Sequence, residues 1–152
     1  MCRQDQLRFI RAVHRWKNTP YKPSQCTPGV GVDCLQFVGA VVDEYLGLST
    51  KHLSRIPALP PDTAFHTSKN VAKMSQILHD RWPLKTIRCI SWQDLVPTDI
   101  VLIQESSISP SHLMIADVRK GMAWHSTNDI GVCCTPLRTL ELDRIWRILW
   151  PK

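Results

Sequence analysis

The chain has 152 residues, a length that predicts one domain. With 43% hydrophobic residues it can bury a core without disulfide or metal staples, and no apolar stretch is long enough to span a bilayer. The formal charge is +6, but the Lys and Arg residues are scattered, with no basic block and no aromatic–basic interleaving. That argues against nucleic acid as a partner.

The elements follow in chain order. Gln4–Trp16 reads as a helix burying Leu7, Ile10 and Val13. From Asn18 to Val32, Pro20, Pro23, Pro28, Gly29 and Gly31 predict an irregular loop. Cys34, Phe37, Val38, Val41, Val42 and Tyr45 then recur on one face of a helix that stops near Gly47, with Asp33 as its N-cap. Ser49–Thr67 reads as a loop broken by Pro57, Pro60 and Pro61. Lys69–Trp82 reads as a helix with Val71, Met74, Ile77 and Leu78 inward, ended by Pro83. Short strands are expected at Ile87–Ile90, Ile100–Gln104, His112–Val118, Ala123–His125, Val132–Thr135 and Arg144–Leu149, with a turn at Arg119–Met122. Helices first and strands after predict an α+β fold, with the N-terminal helices packed on a central antiparallel sheet.

Cys34 is the residue with the most chemistry to offer. A thiol in a first helical turn feels unpaired N–H groups and the positive end of the helix dipole. Both favour the thiolate, and the same N–H groups can hold an oxyanion. Such a cysteine can equally be the first buried residue of a core helix. The C-terminal third shifts the balance toward the nucleophile. His112 opens one strand and His125 lies in the returning strand, so pairing around the turn makes them neighbours or nearly so. A thiol, a base and a polar group that orients the base form the general layout of cysteine nucleophile chemistry.

The other cysteines and histidines carry less. Cys133 and Cys134 are adjacent in a strand and point to opposite faces. There is no Cys-x-x-Cys, and no zinc-ligand spacing between Cys26 and Cys34. Reduced thiols are the expectation, with Cys2, Cys89, Cys133 and Cys134 structural or incidental and a Cys26–Cys34 disulfide the less favoured reading. His14, His52, His66 and His79 have no ligand partner at helical or hairpin spacing, so no metal and no cofactor is expected. Trp92, Trp124, Trp146 and Trp150 read as core or rim residues rather than sugar platforms.

In order and spacing these motifs resemble the NlpC-type cysteine peptidases, papain-like enzymes that cut cell-wall peptides. The residues that carry the resemblance are Pro20-Tyr21, Asp33-Cys34-Leu35-Gln36-Phe37-Val38, Pro97-Thr98-Asp99-Ile100-Val101, His112-Leu113-Met114-Ile115 and His125-Ser126, from about Leu7 to Trp150. The helical insert near Lys69–Trp82 is similar to that of phage-tail and gene-transfer-particle members. The resemblance implies a single papain-like domain over 1–152. In it Cys34 is the nucleophile, His112 the general base and His125 its orienting residue. Tyr21 would lie near the oxyanion site, and Asp33 would receive the free amino end of the peptide. The implied substrate is an amide bond of a bacterial cell-wall stem peptide, with phage-tail or secretion-particle proteins as further partners. Four features depart from the pattern. Leu35 stands for a Ser, Gln36 for a Gly and Thr98 for a Gly, and a Gly-Gly after the tyrosine region is absent. They bear on the substrate pocket and keep two alternatives open. One is a deamidase, acyltransferase or interbacterial amidase toxin on the same scaffold, and the other is a non-catalytic tail component. The N-terminus lacks the apolar segment of a signal peptide. The expectation is therefore a protein cytoplasmic as synthesised, and delivered to the wall by a particle or secretion machine.

Overall fold

A computed structural model describes residues 3–48, 68–88, 91–104 and 111–149. The expected loop Ser49–Thr67, Cys2, Cys89, Ile90, His52, His66 and Trp150 lie outside the described residues. Helices and antiparallel strands are both present, so the chain is α+β. It divides into two compact units, one of Met1–Leu59 with Trp124–Thr135 and one of Pro60–Ala123 with Pro136–Lys152.

The first unit is built on two helices, α1 (Arg3–Arg15) and α2 (Cys34–Tyr45). On α1, Phe9, Ala12 and Val13, with Trp16 just beyond, form the buried face at i, i+3, i+4 and i+7. This corrects the expected face. Leu7 is 47% exposed and Ile10 only half-buried. The aromatic pair decides it: Phe9 meets Tyr45 edge-on at 6.3 Å and Trp16 meets Phe37 edge-on at 6.5 Å, and two rings bury more area than Leu7 and Ile10. Arg15 and Glu44 form an ion pair at 3.6 Å between the same helices.

Every residue of α2 except Glu44 is buried, so this helix is enclosed rather than amphipathic as its apolar face suggested. It ends where expected. Gly47 adopts φ +69°, while the amides of Gly47 and Leu48 donate to the carbonyls of Glu44 and Asp43, a Schellman closure.

Strands β1 (Cys26–Thr27) and β2 (Gly31–Val32) form a small antiparallel ladder inside the Pro/Gly loop. That loop was expected to be irregular throughout. Pro28 and Gly29 instead form the turn: Val30 N–H donates to Thr27 O at 3.0 Å, and Gly29 takes φ +74° at the position where a type II turn needs it.

In the second unit, α3 (Ser68–Arg81) buries Met74 and Leu78, with Ile77 half-buried; the Val71 side chain lies outside the described set. Trp82 is buried beyond its end, with the Arg81 guanidinium 5.5 Å from the ring centre. The strands are β3 (Leu84–Ile87), β4 (Ile100–Gln104), β5 (Ser111–Asp117) and β8 (Leu142–Ile148), in the order β3-β8-β4-β5 with antiparallel neighbours. The strand expected at Ile87–Ile90 therefore begins three residues earlier. Its register pairs Leu84 with Ile148 and Ile87 with Ile145, which puts the buried Leu84 inside the ladder. Val101, Ile103, Met114, Ala116 and Ile145 build one core face with Leu95, Ala123 and Leu137. Ile100, Leu102, Leu113 and Ile115 are equally buried on the alternate face.

After β5 a short 3-10 turn, Val118–Lys120, closes on Gly121 at φ +61°. Strand β6 (Met122–Thr127) crosses from the second unit into the first, and a tight turn leads to its neighbour β7 (Gly131–Pro136). Among the described residues no helix is long and apolar enough to cross a membrane.

Candidate active site

The loop before Cys34 is held from three sides. Val32 N–H donates to Pro20 O at 3.0 Å, and Lys22 N–H donates to Val32 O, which makes a parallel bridge between Tyr21 and Val32. Ser126 Oγ donates to the same Val32 carbonyl at 2.8 Å. Thr19 is fully buried: its hydroxyl accepts from Gly29 N–H at 2.9 Å and its carbonyl accepts from Val132 N–H at 2.9 Å. The residue after His125 is thus bonded to the residue two before Cys34.

Cys34 is the first residue of α2, and it is buried with 4% exposed. Asp33 is the N-cap, as its position predicts. Its Oδ1 accepts from Gln36 N–H at 2.8 Å, and its Oδ2 accepts from Ser24 N–H at 2.9 Å, nine residues back. Burial raises the Asp33 pKa, and the backbone donors at Gln36, Ser24 and Leu35 oppose that rise. Tyr21 is half-buried. Its phenol is pushed up first by burial, then by the negative charge of Cys34 and of Asp33. Leu35 and Gln36, the departures from the NlpC-type pattern, are both buried in the body of α2.

His125 projects from β6 and is buried with 4% exposed. Its Nε2 lies 2.8 Å from Thr135 Oγ1 and 3.5 Å from Cys133 Sγ, both on β7. Cys133 Sγ in turn lies 3.9 Å from Thr127 Oγ1. Burial drives the His125 pKa down to about 4, so the imidazole is neutral at neutral pH. Burial also raises the Cys133 thiol. Cys133 is half-buried and Cys134 exposed, as alternation along a strand requires.

Cys34, Asp33, Tyr21 and His125 belong to the first unit. His112 belongs to the second, half-buried on β5 and opposite Ile103 on β4. Thr135 and Cys133 were not among the expected site residues. The only signal for them was the two-residue period of β7, which puts 133 and 135 on one face.

Two neighbouring features bear on the Pro97-Thr98-Asp99 motif. Asp99 N–H donates to Val96 O at 3.1 Å, and Thr98 sits at φ +77°, the third position of a type II turn. Asp99 is fully buried and takes a two-pronged contact from Arg147, Nε at 2.9 Å and Nη2 at 2.8 Å. That clasp anchors the start of β4 to β8.

No protein-family model matches this chain, and no curated protein matches it in sequence. The resemblance to NlpC-type peptidases therefore rests on the order and spacing of the sequence motifs alone.

Proposed function

We propose that the protein is a papain-like cysteine hydrolase of NlpC type that cuts an amide bond in the stem peptides of bacterial cell wall. The observation that carries this reading is the setting of Cys34: first residue of a helix whose N-cap, Asp33, holds the amides of Gln36 and Ser24. In this mechanism the Cys34 thiolate adds to the scissile carbonyl. The oxyanion is held by the Cys34 N–H and the Tyr21 hydroxyl. His112 gives a proton to the leaving amine, and a thioester remains on Sγ. Water, deprotonated by His112, then releases the acid and restores the thiol. The resemblance gives His125 the orienting role toward His112. The helix Ser68–Arg81, at the position of the phage-particle insert, supports delivery by a particle to the wall as part of the same proposal.

Brief iodoacetamide treatment at neutral pH followed by peptide mapping tests the nucleophile. Access alone ranks the exposed Cys134 ahead of the buried Cys34, whereas thiolate activation ranks Cys34 first. Preferential labelling of Cys134 with Cys34 unmodified would remove the assignment. Mass spectrometry of digested cell wall then identifies the reaction. Hydrolysed stem peptides support the peptidase, a one-dalton gain supports a deamidase, and a transferred acyl group supports a transferase.

A further inference from the structure

We infer that Ser126 is a positioning residue for the nucleophile: its hydroxyl ties strand β6 to the peptide that aims the first turn of α2. Its role depends on Cys34 being the nucleophile proposed above.

Ser126 is fully buried, and its Oγ donates to the Val32 carbonyl at 2.8 Å. The direction of that bond is fixed, since a carbonyl oxygen can only accept. The same oxygen accepts Lys22 N–H at 3.3 Å, so Ser126 is its closer partner. Ser126, Val32 and Cys34 all belong to one compact unit. The Val32 oxygen lies on the peptide that enters Asp33. If that peptide swings, Asp33 turns with it. Asp33 is the extended N-cap at φ −91° and ψ 176°, its Oδ1 holds Gln36 N–H, and its carbonyl starts the helix by accepting Phe37 N–H at 2.9 Å. The next peptide carries the Cys34 N–H. Its direction, and the seat of Sγ at the helix terminus, therefore follow from how the Val32 carbonyl is held. The hairpin also grips the start of this loop, through Val132 N–H on the Thr19 carbonyl at 2.9 Å and through Gly131, where a Cβ would collide with that carbonyl. Ser126 grips its end.

Ser126→Ala leaves the Val32 carbonyl with the Lys22 amide, so no buried acceptor is orphaned and the variant should fold. Three readouts test it on the full chain. The rate of Cys34 alkylation by iodoacetamide, followed against pH, should move its midpoint upward by about half a pH unit, the scale of a charge effect at a helix terminus. Hydrogen exchange at the Gln36 amide should quicken about 10-fold, the scale of one hydrogen bond, while the amides of α1 stay unchanged. Toward the stem peptide, kcat should fall about 10-fold at unchanged KM, within the cost of misplacing a reacting group. Thr127→Ala removes a hydroxyl from the same strand that faces Ile130 N–H instead of the loop, and should move none of the three. An unmoved alkylation profile in Ser126→Ala, unchanged exchange at Gln36, or an equal effect of Thr127→Ala would overturn the inference. If Cys34 of the wild type is not alkylated, the proposed function fails, while exchange at Gln36 still decides whether Ser126 holds the turn. The two failures are therefore separable.

Discussion

Acidification should destabilise this protein through His125, and by a definite amount. The ring is buried with 4% exposed, and its pKa falls from the ordinary 6.5 to about 4 because burial disfavours the charged form. In the unfolded chain the ring titrates near its ordinary value. Between the two values the unfolded state holds a proton that the native state lacks, so unfolding becomes easier as pH falls. The contribution is fully present above 6.5, is lost progressively down to about 4, and is flat below. A gap of roughly 2.5 pH units at about 1.4 kcal/mol each gives about 3 kcal/mol, a large share of the 5–15 kcal/mol typical of a domain. Asp33 acts in the opposite sense, since a carboxyl with a raised folded pKa favours the native state as acid rises. The measurement is therefore a difference. Urea unfolding of wild type and of His125→Asn is followed from pH 7.5 to pH 4, and Asp33 cancels in the subtraction. The stability advantage of the wild type over the variant should shrink by about 3 kcal/mol across that range. A difference that does not change with pH would mean that His125 is charged, or solvated, in the native state.

Two further perturbations test the backbone that carries the site. Thr98→Gly should stabilise the protein by about 1 kcal/mol in thermal unfolding, because it relieves a β-branched residue at φ +77°; no gain would mean that packing of the buried Thr98 side chain offsets the strain. Gly131→Ala should cost more than about 2 kcal/mol, since the residue has φ +79° and a new Cβ would collide with the Thr19 carbonyl oxygen and stand 2.9 Å from Pro20 Cα. Gly29→Ala, at φ +74° with nothing within 4 Å, should cost only the backbone term of about 1 kcal/mol, so equal losses at both glycines would remove the close-approach argument.

Local signals were legible wherever one residue type had a single structural use. Asp33 capped its helix and Gly47 closed it because a short carboxylate and a left-handed glycine fit those positions alone. The β4 span came out at Ile100–Gln104 as expected, because an apolar run bounded by the Pro97 turn leaves little choice. The α1 face was not legible, since its selection depends on Tyr45 and Phe37, about 20 to 35 residues away. The edge of β3 was likewise set by β8, its partner some sixty residues later. Of the expected site residues, the thiol and both histidines stood out in the sequence by type and order. Thr135 did not, because a threonine in a strand is ordinarily a strand former. Only the 2.8 Å approach to His125 distinguishes it.

The proposed role of Asp33 toward substrate can be set against the hydrogen bonds it already makes. The resemblance makes this carboxylate the receiver of a peptide's free amino end, yet both of its oxygens already hold backbone N–H groups, Gln36 at 2.8 Å and Ser24 at 2.9 Å. Each carboxylate oxygen has two acceptor sites, so a substrate ammonium can be accepted in addition to the clasp. Asp33→Asn separates the two duties. The amide oxygen can keep the helix cap, but the amide nitrogen cannot accept from Ser24, and two donors then face each other. The variant should lose about 1–2 kcal/mol of stability through that broken contact. If Asp33 also receives the amine, kcat/KM for the free-amine stem peptide should fall about 10-fold further than for its N-acetylated form, the scale of one charge-assisted hydrogen bond. Equal losses for the two peptides would confine Asp33 to clasping the loop ahead of Cys34. Recognition of the amino end would then have to come from another residue.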